Sequence, residues 1–185
     1  MLKLYLLKSK IMEQNSTSVW KSAVTSGIYV GIALILVGVV YYVTGNALSK
    51  STQWVSYAVM IGGVVFAQFN YRRSLGGFMT YGQAVLVGVL AMLFATVLSG
   101  IYNWLLYAVI DPSLQEQLRL ATEEQIVKQG NIPEEQLDAA VEMAAKFQSP
   151  VMMMLMSIIV GTFVGLIISL ITSIFTKKKP SEEIE

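Results

Sequence analysis

The chain has 185 residues, of which 55% are hydrophobic and only 14% are charged. Soluble domains carry about 25% charged residues, so this composition excludes an ordinary water-soluble fold and indicates a membrane protein. Cysteine and histidine are absent from the sequence, which excludes disulfide bonds, thiolate chemistry, and metal or haem ligation by those two side chains.

The first 21 residues are predicted to be a cytoplasmic tail. Their apolar run is too short for a signal peptide, and no small-residue cleavage site follows it. Met12 is an alternative start of translation, so the sequence leaves open whether the chain begins at Met1 or at Met12.

Residues 22–110 are predicted to hold the first three transmembrane helices. The segment Ser22–Thr44 has no charge over 23 residues, which is about 35 Å of helix against a bilayer core of about 30 Å. A second span is predicted over Thr52–Tyr71. The third is predicted over Tyr81–Trp104, and its helix should continue beyond the bilayer towards Asp111. Trp and Tyr residues near the span ends are typical of the membrane interface.

Residues 111–149 form a polar insertion with eight acidic and three basic residues. Asp111-Pro112 is typical of a helix start, and Gly130-Asn131 is typical of a helix end. A second start follows at Pro133, so the insertion is predicted to be an acidic helical hairpin. Glu124 with Lys128, and Glu142 with Lys146, have the spacing of favourable ion pairs on a helix.

The fourth span is predicted over residues 150–176, and residues 177–185 are predicted to be a short cytoplasmic tail. The predicted fold class is therefore all-α: an integral membrane four-helix bundle with an acidic extracytoplasmic helical hairpin between spans three and four.

The positive-inside rule predicts that both termini are cytoplasmic in a bacterial inner membrane. With four spans, the tails and the second loop share one side of the membrane and carry nine cations: Lys3, Lys8, Lys10, Lys21, Arg72, Arg73, Lys177, Lys178 and Lys179. The other side carries only four: Lys50, Arg119, Lys128 and Lys146.

The junction between the second and third spans, residues 71–84, reads YRRSLGGFMTYGQA. It resembles the signature of a bacterial family catalogued as domain of unknown function 4199. The plan of the chain is similar as well, with four spans, a polar insertion before the fourth and a lysine-rich end, over about Lys21 to Lys179. The resemblance implies a membrane location and no known activity, so it transfers no functional residue. It suggests a tight turn at Gly76-Gly77, with Phe78 returning to the interface.

Small residues recur along the fourth span at strict four-residue spacing. Such a ridge lets the backbone of another helix approach closely. One interpretation is packing within the four-helix bundle, and another, compatible with it, is an oligomer interface. The predicted packing residues are Ser157, Gly161, Gly165, Ser169 and Ser173, with Gly27 and Gly31 in the first span.

Polar residues flank the Gly-Gly-Phe turn at the cytoplasmic ends of spans two and three. They could form a pocket for an anionic group such as a lipid phosphate. The alternative is ordinary interfacial polarity with arginines that extend towards water. The candidate residues for this head-group contact are Gln68, Asn70, Arg72, Arg73 and Gln83.

No catalytic, cofactor-binding or metal site is predicted. Coupled transporters usually hold ionisable residues inside the membrane, and the predicted spans contain none. Enzymes need a paired acid, base or nucleophile, and the acids lie in the hairpin or the tails. An enzyme is therefore not expected, and one built from the outer acids, with a metal, is the least favoured of three hypotheses.

The favoured hypothesis is a non-catalytic scaffold or accessory protein that acts through helix packing. The alternative is a passive or oligomeric small-solute conduit or transporter component. The expected partners are the lipid bilayer and either further copies of the chain or another membrane protein, with no cofactor and no nucleic acid.

Overall fold

The computed structural model describes residues 2–129 and 134–178, without the side chains of residues 2–18, 50, 129, 134, 135, 137 and 138. The protein is all-α, 88% helical and without β-strands in this part of the chain. The elements are α1 (Leu2–Val43), α2 (Lys50–Ser74), α3 (Tyr81–Leu105), a five-residue π-helix (Leu106–Ile110), α4 (Ser113–Gln129), α5 (Glu134–Phe147) and α6 (Pro150–Thr176).

The four long helices α1, α2, α3 and α6 form one bundle in which α3 is central. It packs along both α1 and α6, and α2 contacts all three of these helices. The core contains Val30, Met60, Val64 and Met92, and a second buried cluster surrounds Tyr71 near one end. The short connections between α1, α2 and α3 make successive helices run in opposite directions.

Three helical segments are long and apolar enough to cross a membrane. They are Val19–Val43, Tyr81–Ile110 and Pro150–Thr176, with mean hydropathies of 2.3, 2.5 and 2.6. Helix α2 is not among them, because polar residues such as Gln53, Gln68 and Asn70 lower the hydropathy of its uncharged part. These apolar helices indicate a membrane protein, whereas the count of four spans stays a prediction.

The helix bounds differ from the predicted spans mainly at the ends. Residues 2–21, predicted as a tail, continue the same helix as the first span. The third helix does extend to Ile110, but its last turn is a π-helix. Helix α6 has the bounds predicted for the fourth span. The tail beyond Lys178 and the predicted helix end at Gly130-Asn131 lie outside the described residues.

The polar insertion forms α4 and α5, which contact each other. At the start of α4, the Asp111 Oδ1 atom accepts hydrogen bonds from Ser113 N at 3.2 Å and Ser113 Oγ at 2.6 Å. Just after the end of α5, the Gln148 Nε2 atom donates to Thr122 Oγ1 of α4 at 2.7 Å. Both predicted ion pairs are present, and Arg119 adds pairs with Glu116 and Glu123.

Candidate functional site at the basic end of the bundle

The connection between α2 and α3 is a tight turn built on two glycines. Gly76 and Gly77 have φ of +74° and +94°, a conformation that residues with a Cβ rarely adopt. Helix α3 then begins with a capping box, in which Gln83 N donates to Thr80 Oγ1 at 3.3 Å and Thr80 N donates to Gln83 Oε1 at 3.0 Å. The turn predicted at this position is therefore present. Local hydrogen bonds fix the start of α3, which follows the turn.

The side chain of Gln68 lies inside the bundle and is fully buried. Its Nε2 atom donates to Ser173 Oγ at 3.0 Å and is 3.3 Å from Ala84 O. Its Oε1 atom accepts from Thr176 Oγ1 at 3.0 Å. One amide thus connects α2, α3 and α6. We call these four residues the Gln68 cluster.

The C-terminus of α6 is attached to the same region by backbone hydrogen bonds. Met79 N donates to Lys178 O, and Lys178 N donates to Met79 O, both at 2.9 Å. The Arg72 Nη1 atom donates to Thr176 O at 3.1 Å, and its guanidinium lies 4.5 Å from the centre of the Phe69 ring. The end of α6 is therefore held by both α2 and the turn that follows it.

Two lysines of this C-terminal segment lie over aromatic rings that follow the turn. The Lys177 ammonium is 5.9 Å from the centre of the Tyr81 ring, and the Lys178 ammonium is 5.9 Å from that of Phe78. The Tyr81 hydroxyl donates to Leu170 O at 3.0 Å, which fixes this ring against α6. With Arg72 and Arg73 these lysines define what we call the basic end of the bundle.

The five residues predicted to contact a lipid head group do not form one pocket. The Gln68 amide faces the bundle interior, and the Gln83 side chain is engaged in the capping box. Asn70 and Arg73 are exposed, and Arg72 is partly buried against α6. Sequence reasoning placed Lys177 and Lys178 in the tail and missed that the Met79–Lys178 bridge brings them to this site.

The ridge of small residues on α6 faces α3. A Cβ built on Gly165 would lie 2.5 Å from Met92 Cβ, and one built on Gly161 would lie 2.5 Å from Thr96 Cγ2. The remaining ridge residues continue the register. Ser157 lies opposite Gly100, and Ser169 lies opposite Gly88. Ser173 and Ala84 both contact the amide nitrogen of Gln68.

Each step of four residues along α6 therefore meets a step of four along α3, in the opposite direction. Such matched ridges and grooves are the usual basis of close helix packing. The α3 side of this contact was not singled out from the sequence. The signal was present, because Ala84, Gly88, Met92, Thr96 and Gly100 have the same spacing.

The two glycines predicted on the first span also face α3. A Cβ on Gly27 would lie 2.6 Å from Ala91 O, and one on Gly31 would lie 3.3 Å from Ala95 Cα. Gly38 lies opposite the Tyr102 ring with the same offset along the chain. Because α1 and α3 run in the same direction, this register is parallel, and α3 presents separate faces to α1 and α6.

The fold and the composition together define the class: a helical membrane protein whose central helix α3 packs closely against small residues of α1 and α6. The chain belongs to the family described as "Protein of unknown function (DUF4199)", whose model matches residues 25–178. The family resemblance seen in the sequence is confirmed. No curated protein and no solved structure matches the chain significantly.

Proposed function

We propose that the protein is a four-span bacterial inner-membrane protein with a scaffold or accessory role, acting through helix packing and not through catalysis. The observation that supports this proposal most directly is that the side chains of the Gln68 cluster and of the small-residue ridges contact neighbouring helices. The described polar groups of the Gln68 cluster bond one another across helices, and the small-residue ridges are occupied by neighbouring helices. This chemistry holds helices together.

The fourth span in this proposal is α2. Its hydropathy is lowered by residues such as Gln68, whose amide is buried and hydrogen-bonded inside the bundle. Polar residues of membrane helices usually face other helices in this way. The exposed positions of α2 include Val55, Ile61, Phe66 and Phe69, which suit a lipid environment. Because the Gln68 amide is hydrogen-bonded inside the bundle, it opposes membrane insertion of α2 less than an amide exposed to lipid would.

The proposed orientation depends on the separation of cations between the two ends of the bundle. The basic end carries Arg72, Arg73, Lys177 and Lys178, whereas Arg119 and the lysines of α4 and α5 lie at the opposite end. Under the positive-inside rule the basic end is cytoplasmic, so both termini are cytoplasmic and α4 and α5 are extracytoplasmic.

Reporter fusions test the span count and the orientation together. Fusions after Lys50, Arg73, residue 130 and the C-terminus should report outside, inside, outside and inside. A cytoplasmic signal at residue 130 would overturn the proposed topology. Equal signals at Lys50 and Arg73 would show that α2 does not cross the membrane.

The surface proposed for partner binding is the outer face of α6. Fewer residues of α6 than of the central helix α3 are buried inside the bundle. The exposed residues are Ile159, Phe163, Ile167, Ile171, Ile174 and Phe175. An intact bundle with such a face can accept another transmembrane helix, either from a second copy or from a different membrane protein. Without such a partner helix, bilayer lipid covers this face of α6.

Affinity purification of the full chain in mild detergent tests the scaffold role. A stoichiometric partner or a stable oligomer should accompany the wild-type chain, and Phe163→Ala with Ile167→Ala should release it without lowering the melting temperature. The control is Ile61→Ala on the exposed face of α2. A monomer without partners, together with solute flux in proteoliposomes, would favour the conduit alternative instead. The packed core residues Val64 and Met92 at the bundle centre give that alternative no support.

A further inference from the structure

We propose that the basic end binds the phosphate of an anionic membrane phospholipid, with Lys177 and Lys178 as its main ligands and Arg72 and Arg73 as additional charges. The inference rests on the membrane location and orientation proposed above. It replaces the pocket predicted from the sequence with a surface site assembled from two distant segments of the chain, the α2–α3 turn and the end of α6.

The first argument is that the two lysines are held in place by the fold. The reciprocal backbone bonds between Met79 and Lys178 fix the chain where it leaves α6. The Arg72 guanidinium holds the carbonyl of Thr176, the residue immediately before Lys177. A segment that follows a helix would otherwise be free to move, so this attachment reduces the entropy lost when the lysines bind a phosphate.

The second argument is that the cations retain capacity for an anion. Among the side chains that the structure describes, no carboxylate lies within 4.0 Å of Arg72, Arg73, Lys177 or Lys178. Arg72 donates one hydrogen bond to Thr176 O, and a guanidinium has five N–H donors. The cations on α4 and α5 differ, because Arg119, Lys128 and Lys146 each pair with a glutamate.

The third argument is depth in the membrane. Phe78 and Tyr81 are 40% and 38% exposed, and each lies beneath one of the two ammonium groups. Aromatic rings are enriched at the level of the lipid head groups. Lysines over these rings are therefore placed at the depth where a lipid phosphate lies.

The competing explanation is that the lysines only neutralise the negative end of the α6 dipole. That role stabilises the helix equally in every lipid, whereas a phosphate site distinguishes lipids by head-group charge. The two explanations therefore differ in one measurable property, the dependence of stability on anionic lipid.

The test measures the melting temperature of the full chain in a nonionic detergent, titrated with phosphatidylglycerol or with phosphatidylcholine. Phosphatidylglycerol should raise the melting temperature in a saturable way that weakens with added salt, and phosphatidylcholine should not. The double variant Lys177→Gln with Lys178→Gln should lose about thirtyfold in apparent affinity for phosphatidylglycerol. Each cation near an anionic lipid surface contributes about 1 kcal/mol, and roughly 1.4 kcal/mol corresponds to a tenfold change in affinity. Its melting temperature without lipid should change little.

The matched control is Lys128→Gln with Lys146→Gln, which removes the same charge from the opposite end and should keep the wild-type lipid response. Inorganic phosphate at millimolar concentration separates a lipid site from a free-anion site. The proposal fails if the Lys177/Lys178 variant keeps the full response, if both lipids act alike, or if inorganic phosphate reproduces the shift. The topology reporters are independent of these results, so failure of the lipid site leaves the proposed topology standing.

Discussion

The two ends of the bundle are stabilised by different kinds of interaction. At the basic end, hydrogen bonds join residues about a hundred positions apart, such as Gln68 with Ser173 and Arg72 with Thr176. In α4 and α5, the ion pairs join residues three or four positions apart, such as Glu124 with Lys128. The first kind defines which helices are neighbours, and the second kind supports a helix that already exists.

Burial makes the two kinds of interaction unequal in free energy. The amide of Gln68 is fully enclosed, so each lost partner leaves a buried polar atom unsatisfied. The ion pairs of α4 and α5 are exposed, where water and salt screen them. We therefore expect substitutions in the bundle contacts to lower the free energy of unfolding far more than substitutions in the polar insertion.

The largest expected effect is at the α3–α6 contact that connects both ends. Gly165→Leu adds a branched side chain where a Cβ alone would lie 2.5 Å from Met92 Cβ. Overpacking of this kind costs roughly 1–3 kcal/mol or more, so the melting temperature in detergent should fall clearly. Gly161→Leu should act in the same way against Thr96.

The control is Leu166→Ile, one position away from the ridge, which should stay close to wild type. If Gly165→Leu and Gly161→Leu melt like wild type, the α3–α6 register is incorrect. If instead the monomer remains stable and only a larger species disappears, the ridge is an oligomer contact.

The next effect in size is at the Gln68 cluster. Gln68→Leu keeps the side-chain size but removes the hydrogen bonds to Ser173 and Thr176. Hydrogen bonds between membrane helices are worth about 0.6 kcal/mol on average and up to about 1.7. We expect a loss of roughly 1–2 kcal/mol, measured by unfolding in mixed micelles. Gln53→Leu is the matched control, because Gln53 is exposed on the same helix; equal losses would contradict the comparison between buried and exposed amides.

A smaller effect is expected from one hydroxyl group of the same cluster. Thr176→Val deletes the donor to Gln68 Oε1 and should cost about 0.6 kcal/mol. Thr172→Val serves as the control, since the Thr172 hydroxyl donates to the Ile168 and Ser169 carbonyls of its own helix. Hydrogen exchange at the end of α6 should increase in the first variant alone. Equal exchange in the two variants would show that the bond to Gln68 does not hold this end.

The smallest effect is expected from the ion pairs of α4. Hydrogen bonds from Arg119 and Lys128 lower the pKa of Glu116 and Glu124, respectively. The stabilisation that they contribute is present above the ordinary glutamate pKa and is lost as the pH falls through the lowered values. Hydrogen exchange in α4 should therefore increase in acid and in high salt, with the bundle unaffected. The Glu124→Gln variant should show less of this pH dependence. If hydrogen exchange in the bundle helices increased in acid together with that in α4, the two ends would not be stabilised independently.

The sequence alone determined the apolar helical segments and one of their packing faces, although it did not show that α1 begins as early as Leu2. Charge-free length predicted the bounds of α6, and the Gly-Gly-Phe motif of the family resemblance predicted the turn at Gly76-Gly77, because both are features of neighbouring residues. The four-residue spacing from Ser157 to Ser173 showed that α6 has one narrow face. It could not show which helix covers that face, since several helices in the chain carry small residues.

Tertiary structure alone decided where the polar residues act. Gln68, grouped with head-group ligands from its position near a span end, points inward because its place on the helix face directs it towards α3 and α6. Lys177 and Lys178 follow the last helix in sequence, yet they lie at the α2–α3 turn because a backbone bridge to Met79 closes there. Composition and spacing describe one helix at a time, whereas such contacts depend on the rotation and register of helices separated by a hundred residues.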